Sequence, residues 1–347
     1  PVPVVSLIPS SLLASLRHWL VRWLRPLAMA LSLIVTLPVL AAAAPVNNGE
    51  DPLPARLALE SSAAVVLDQD TGRVLYGKNA QNIAPIASIT KLMTAMVVLD
   101  AELDMDEPIT ITHADVDALR NTRSRLNEGA TLRREDLLRL ALMSSENRAA
   151  AALSRAYPGG REAFIRAMNL KAQSLGLTGT RYADGTGLSS SNVSTAEDLA
   201  ALVRAAHAYP RIREFSTAAS HEVVVGGRRL AYHNTNALVS NDNWDIGLSK
   251  TGFINEAGRC LVMQAVLAGR NVVIVLLDSW GKYARMTDAL RIRSWMEGKV
   301  APVLAARKPS TNARTAQART VNAGARKPVA NKPRRAARTE RGRHTLS

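Results

Sequence analysis

Two apolar, β-branched stretches bracket a long helical middle, and this arrangement limits the folds open to the chain. At the front, Ala63-Ala64-Val65-Val66-Leu67 is followed by the turn signal Asp70-Thr71-Gly72 and by Arg73-Val74-Leu75-Tyr76. Two such runs around a turn predict a hairpin. At the back, residues 246–252, 258–267 and 271–277 read as three strands, the last two joined by Ala268-Gly269-Arg270. Residues 221–225 and 228–232 flank Gly226-Gly227, a second hairpin signal. From His113 to Ser194 the pattern is mainly helical. Residues 137–143 are too apolar for a surface helix. Further helices are expected over 161–175, over 195–207 with Ser194 as N-cap and Glu197 in a capping box, and over 283–297. The predicted class is α+β: one antiparallel sheet built from both ends of the region, with a helical insertion between them.

The helix expected after Pro85 carries Ala87-Ser88-Ile89-Thr90-Lys91. Residues three apart share a helix face, so the Ser88 hydroxyl and the Lys91 amine should meet at its first turn. Free backbone N–H groups and the positive end of the helix dipole point there as well. Serine is a weak nucleophile until a base takes its proton. Lysine can be that base once burial or a second cation lowers its pKa.

Charge divides the chain. Residues 1–44 hold three arginines (Arg17, Arg22, Arg25) and no acid, and residues 301–347 hold twelve Lys/Arg against Glu340 alone. Of the formal net charge of +15, only about one unit is left for residues 45–300. The basicity therefore gives no reason to read the folded region as a nucleic-acid binder. Residues 1–44 read as an export leader, with a basic region, an apolar run from Pro26 and a small-residue end at Ala42-Ala43-Ala44. An uncleaved membrane anchor is the alternative. Residues 45–60 read as a spacer, 61–300 as the folded region, and 301–347 as a disordered basic tail able to touch an anionic surface or polymer. A single cysteine, Cys260, rules out an internal disulfide and sits in an apolar run as a buried hydrophobe would. The six histidines lack metal-ligand spacing, and no metal or cofactor is expected.

Two further motifs complement Ser88 and Lys91. Ser145-Glu146-Asn147 falls between two helical stretches, where Ser145 could relay a proton and Asn147 hold an amide. Lys250-Thr251-Gly252 lies on a predicted strand, followed by Phe253. A glycine on an edge strand lets another backbone approach, and a peptide could add there as an extra strand. Lys250 would be the second cation. Ser279-Trp280-Gly281-Lys282, Ser190-Ser191-Asn192 and Ser310-Thr311-Asn312 repeat parts of the pattern, but only Ser88, Ser145 and Lys250 run in the expected order.

This trio resembles the serine D-alanyl-D-alanine peptidases, the low-molecular-mass penicillin-binding proteins, from about Ser61 to Gly298. The likeness extends through residues 86–100 and 140–150, Tyr157-Pro158-Gly159-Gly160, and residues 250–263. It implies a β-lactamase/D,D-peptidase-like fold and an acyl-enzyme on Ser88. Lys91 takes the Ser88 proton, helped by Lys250 and Ser145. The backbone N–H groups of Ser88 and Phe253 hold the oxyanion, and Asn147, Lys250, Thr251, Gly252 and Phe253 bind substrate. The implied substrate is peptidoglycan, cut in the endopeptidase branch at the D-alanyl–diaminopimelate cross-link, and β-lactams acylate the same serine. A periplasmic site of action fits the leader.

Where many relatives carry a threonine after K-T-G, this chain has Phe253, a change suited to a substrate that continues past the scissile bond. A D,D-carboxypeptidase is the main alternative. A β-lactamase would need a deacylating glutamate in a Glu-x-x-Leu-Asn stretch, and none lies between Ser145 and Lys250. A non-catalytic wall-binding module would not need all three motifs intact.

Overall fold

The computed structural model describes residues 57–299. The expected leader over 1–44, most of the spacer and the basic tail over 301–347 lie outside the described residues. Seven strands have five or more residues: β1 (Ser61–Asp68), β2 (Val74–Lys78), β3 (Ser220–Val225), β4 (Arg228–His233), β5 (Asp245–Ile254), β6 (Gly258–Leu267) and β7 (Arg270–Ser279). Five of them form the antiparallel sheet β2-β1-β7-β6-β5, so both ends of the region meet in one sheet as expected. β3 and β4 form the separate second hairpin.

The central strands read as continuous apolar runs because both faces of the sheet are covered. One face carries Val65, Val262, Val273 and Val275 against the helical region. The other carries Val66, Met263, Ile274 and Leu276 against Ala289 and Ile292 of the C-terminal helix. The result is three layers, helices over sheet over one helix. The register aligns Val65, Val275, Val262 and Lys250 across four strands, so Lys250 shares the face turned to the helices.

The helices are α1 (Thr90–Asp100), α2 (Arg134–Met143), α3 (Asn147–Arg155), α4 (Gly160–Ser174), α5 (Ala196–His207), α6 (Pro210–Thr217) and α7 (Ala284–Met296). α1 is buried continuously from Thr90 to Val98, which explains its lack of a polar face. The N-cap of α5 is Thr195, whose hydroxyl accepts from Asp198 N, and Ser194 instead pairs with Ala84 in a two-residue ladder. No element is expected from the sequence between Pro210 and His221, yet Pro210 opens α6, its fixed φ suiting a first helical position where no N–H is needed. Ser279 of the second S-x-x-K stretch is buried on Ser61 Oγ at 2.7 Å rather than on Lys282.

The N-terminal strand is tied to the last helix by one buried carboxylate. Asp288 accepts from Glu60 N at 3.0 Å, Ser61 N at 2.8 Å and Ser61 Oγ at 2.7 Å. These bonds tie the start of β1 to α7.

Candidate active site

Ser88 occupies a 3-10 turn, Ala87–Ile89, that runs directly into α1. Ala87 has φ +48°, a left-handed conformation costly for a residue with a Cβ, and Thr90 Oγ1 holds the turn by donating to Ala87 O at 2.8 Å. Lys91 follows within the same turn and is wholly buried. Its Nζ donates to Ser88 Oγ at 2.9 Å, Asn147 Oδ1 at 2.8 Å and Thr186 O at 2.6 Å. The i, i+3 spacing thus brings hydroxyl and amine together as expected. Burial lowers the Lys91 pKa to about 8, while Asp184, Glu146 and Asp117 pull it back up. Burial and the charge of Lys250 were both expected to depress it, and burial is the leading cause.

Ser145 sits in the tight connection between α2 and α3, also left-handed at φ +59°. Lys250 Nζ donates to Ser145 Oγ at 2.8 Å and to Thr251 O at 2.9 Å. Lys250 is held well below the usual lysine range, first by burial and then by the Lys91 and Arg285 charges. The site therefore contains two serine–lysine pairs, Ser88 with Lys91 and Ser145 with Lys250. Asn147 joins them to the loop before α2, accepting from Lys91 and donating from Nδ2 to Thr122 Oγ1 at 2.9 Å. The middle residue of the triplet caps α3: Glu146 accepts from Ala149 N at 2.6 Å.

β5 is an edge strand of the sheet. A Cβ at Gly252 would lie 3.0 Å from Ile86 O and 3.2 Å from Ser88 N, so only glycine lets this strand pack on the Ser88 turn without displacing it. Thr251 Oγ1 donates to Thr235 Oγ1 at 2.6 Å. Phe253 is about half exposed, its ring 4.8 Å from the Arg259 guanidinium. Arg285 reaches the Gly252 and Cys260 carbonyls at 3.1 and 3.2 Å. Cys260 is buried as expected, and burial pushes its thiol up to about 11.

One wall of the site was not singled out from the sequence. The loop beginning Asp184-Gly185-Thr186-Gly187-Leu188 packs directly on the Ser88 turn. Gly187 has φ +82°, and any Cβ there would overlap the Ala87 carbonyl. The Asp184 carboxylate accepts from Thr186 N, Gly187 N and Ser189 N at 2.5, 2.7 and 2.8 Å. Asn192, set aside as a chance repeat of the triplet, accepts from Ala183 N at 2.6 Å and donates to Thr90 Oγ1 at 3.1 Å. Arg120 then ties this loop to the turn after β5, donating to Leu188 O at 2.6 Å and pairing with Glu256 at 2.9 Å. The signal was present in the two glycines two apart, Gly185 and Gly187.

A hydroxyl beside an amine whose pKa is lowered by burial, with a second such pair close by, can deliver an alkoxide to a carbonyl and return the proton to a leaving group. Among the described residues no cluster of His, Cys, Asp and Glu could hold a metal ion. No described helix is long and apolar enough to cross a membrane.

Residues 49–281 match the family described as D-alanyl-D-alanine carboxypeptidase. The chain is 48% identical over 286 residues to a D-alanyl-D-alanine endopeptidase of Pseudomonas aeruginosa, covering 80% of this chain and 92% of that one. It is 48% identical over 251 residues to the D-alanyl-D-alanine endopeptidase of Escherichia coli, covering 72% and 81%. The crystal structure of the Streptomyces K15 DD-transpeptidase superposes with a TM-score of 0.65 at 29% identity, covering 69% of this chain and 98% of that one.

Proposed function

Since the chain belongs to the D-alanyl-D-alanine carboxypeptidase family, a family of serine peptidases, we propose that it is a penicillin-binding D,D-endopeptidase acting on the D-alanyl–diaminopimelate cross-links of peptidoglycan. The observation that carries this reading is the pairing of Ser88 Oγ with a buried lysine whose pKa is near 8, beside a second pair, Ser145 with Lys250. The endopeptidase names of the relatives in Pseudomonas and Escherichia support the choice of bond.

In the first step, neutral Lys91 takes the Ser88 proton as Oγ attacks the D-alanine carbonyl. The developing oxyanion faces the Ser88 and Phe253 backbone N–H groups, one on the turn before α1 and one on β5. The extended substrate lies along edge strand β5, where Gly252 keeps the approach open. The departing amine receives a proton through Ser145 and Lys250. Water then hydrolyses the ester. β-Lactams acylate Ser88 by the same first step. We further propose that residues 1–44 direct export to the periplasm and that the basic tail contacts an anionic surface or polymer. A D,D-carboxypeptidase would use the same groups and shares the family's description.

A digest of cross-linked muropeptide dimers mixed with pentapeptide monomers, read by mass, tests the proposal. Loss of dimers with pentapeptides intact, abolished in Ser88→Ala, is expected. Trimming of pentapeptides with dimers intact would replace the endopeptidase by the carboxypeptidase. Failure of both, together with failure of a labelled penicillin to attach at Ser88, would refute the catalytic assignment.

A further inference from the structure

Behind Ser145 and Asn147 opens a cavity of about 550 Å³, lined among others by Arg123, Arg125, Tyr232 and His233. It lies between the loop that precedes α2, the turn before α3 and the last residues of β4. Its volume falls within the roughly 300–1,000 Å³ usual for ligand sites. It is far larger than a single departing alanine requires.

The lining is cationic at the rim. Arg123 is exposed and has no acidic partner among the described residues. Arg125 is pinned, donating to Ala231 O at 2.7 Å with its guanidinium 3.9 Å from the centre of the Tyr232 ring. Glu146 is the acid of the lining, and one of its oxygens is committed to capping α3. Tyr232 is 3% exposed, and nothing among the described residues accepts its O–H proton. A buried hydroxyl left unpaired costs free energy that an incoming acceptor recovers. Burial, with Glu146 close by, pushes that phenol up to about 12, so it remains a donor throughout the neutral range.

The position of the cavity says which part of the substrate reaches it. The group poised to protonate a departing amine is Ser145, backed by Lys250 at 2.8 Å. The leaving group therefore lies on the Ser145 side, and whatever extends beyond its amine runs toward the cavity that Ser145 lines. In a cross-linked substrate that extension is a second stem peptide carrying free carboxylates. We propose that this cavity is the subsite for the leaving half of the cross-link, with Arg123 and the Tyr232 hydroxyl receiving one of its carboxylates. This rests on the endopeptidase reading and adds to it the group that makes a long, anionic leaving peptide preferable to a lone alanine.

The test compares two purified dimers, one with free carboxylates on the leaving half and one with those carboxylates amidated, cut by the wild type, Arg123→Gln and Arg123→Lys. The wild type should cut the carboxylate dimer about tenfold faster by kcat/KM, the effect of one charge-assisted hydrogen bond. Arg123→Gln should lose most of that ratio, and Arg123→Lys should keep most of it. Thermal unfolding of each variant verifies that the fold is retained. Equal cutting of both dimers by the wild type, or a ratio unchanged in Arg123→Gln, would overturn the subsite while leaving the endopeptidase standing. No cutting of either dimer by the wild type would instead refute the endopeptidase reading on which the subsite rests.

Discussion

Acylation of Ser88 should titrate with Lys91, and the structure sets where. The amine is active as the neutral base, and burial penalises the ammonium, so the midpoint falls to about 8. Near that value about a tenth of the lysine is neutral at pH 7 and about nine-tenths at pH 9. The acylation rate should therefore climb about tenfold between pH 7 and 9 and then level off. An amine at the ordinary value of about 10.4 would give a rise of about a hundredfold over the same interval, with no plateau. Stopped-flow mixing with a fluorescent penicillin at saturating concentration reads the step directly. A log-linear rise continuing past pH 9.5 would refute the assignment of Lys91 as the buried base. Stability supplies a second readout. The folded state binds fewer protons than the unfolded chain between about pH 8 and 10.4, so the cost of burying the amine is full below pH 8 and disappears above 10.4. That cost is about 3 kcal/mol for a shift of this size. The stability gap between wild type and Lys91→Met, measured by urea unfolding, should move in favour of the wild type as pH rises through that window.

Replacing Gly187 by alanine should lower Tm by about 6–12 °C, because a Cβ there meets the Ala87 carbonyl. Gly129→Ala, at φ +84° with nothing within 4 Å, should cost only backbone strain, about 1 kcal/mol. A scan showing the same loss for both would refute the contact. Asp184→Asn removes an anion that raises the Lys91 pKa, so the acylation midpoint should fall below 8, and an unmoved midpoint would mean that Asp184 acts only on its loop. Asp288→Ala leaves the backbone N–H groups of Glu60 and Ser61 unsatisfied, and chemical unfolding should show a loss of about 2–5 kcal/mol. Cys260, buried and with its thiol pushed up to about 11, should resist a disulfide reagent until the chain unfolds, and rapid labelling of the native protein would contradict its burial.

The parts of the site that were legible in the sequence are those whose geometry is local or carried by a repeat. Ser88 and Lys91 are three residues apart on a helical turn, and nothing beyond backbone geometry is needed to bring them together. The strands at both ends were readable because, buried on both faces, they run continuously apolar. Gly252 could be suspected because glycine in a strand implies a close neighbour, although only the fold identified that neighbour as the Ser88 turn. The helix at Pro210 was missed because eight residues supply little more than two turns of periodicity.

The sequence by itself determined the class of chemistry, since Ser88-x-x-Lys91, Ser145-x-Asn147 and Lys250-Thr251-Gly252 are each written within a few residues. It also determined the antiparallel, sheet-with-insertion plan. Only the tertiary structure decided that Lys250 serves Ser145. It alone showed how completely Lys91 is buried, and that the Asp184 loop forms a wall. The physical reason is sequence distance. Contacts across 105 residues, as between Ser145 and Lys250, or across 95, as between Lys91 and Thr186, leave no periodic trace. Desolvation is set by every atom packed around a group, and that packing exists only once the chain has folded.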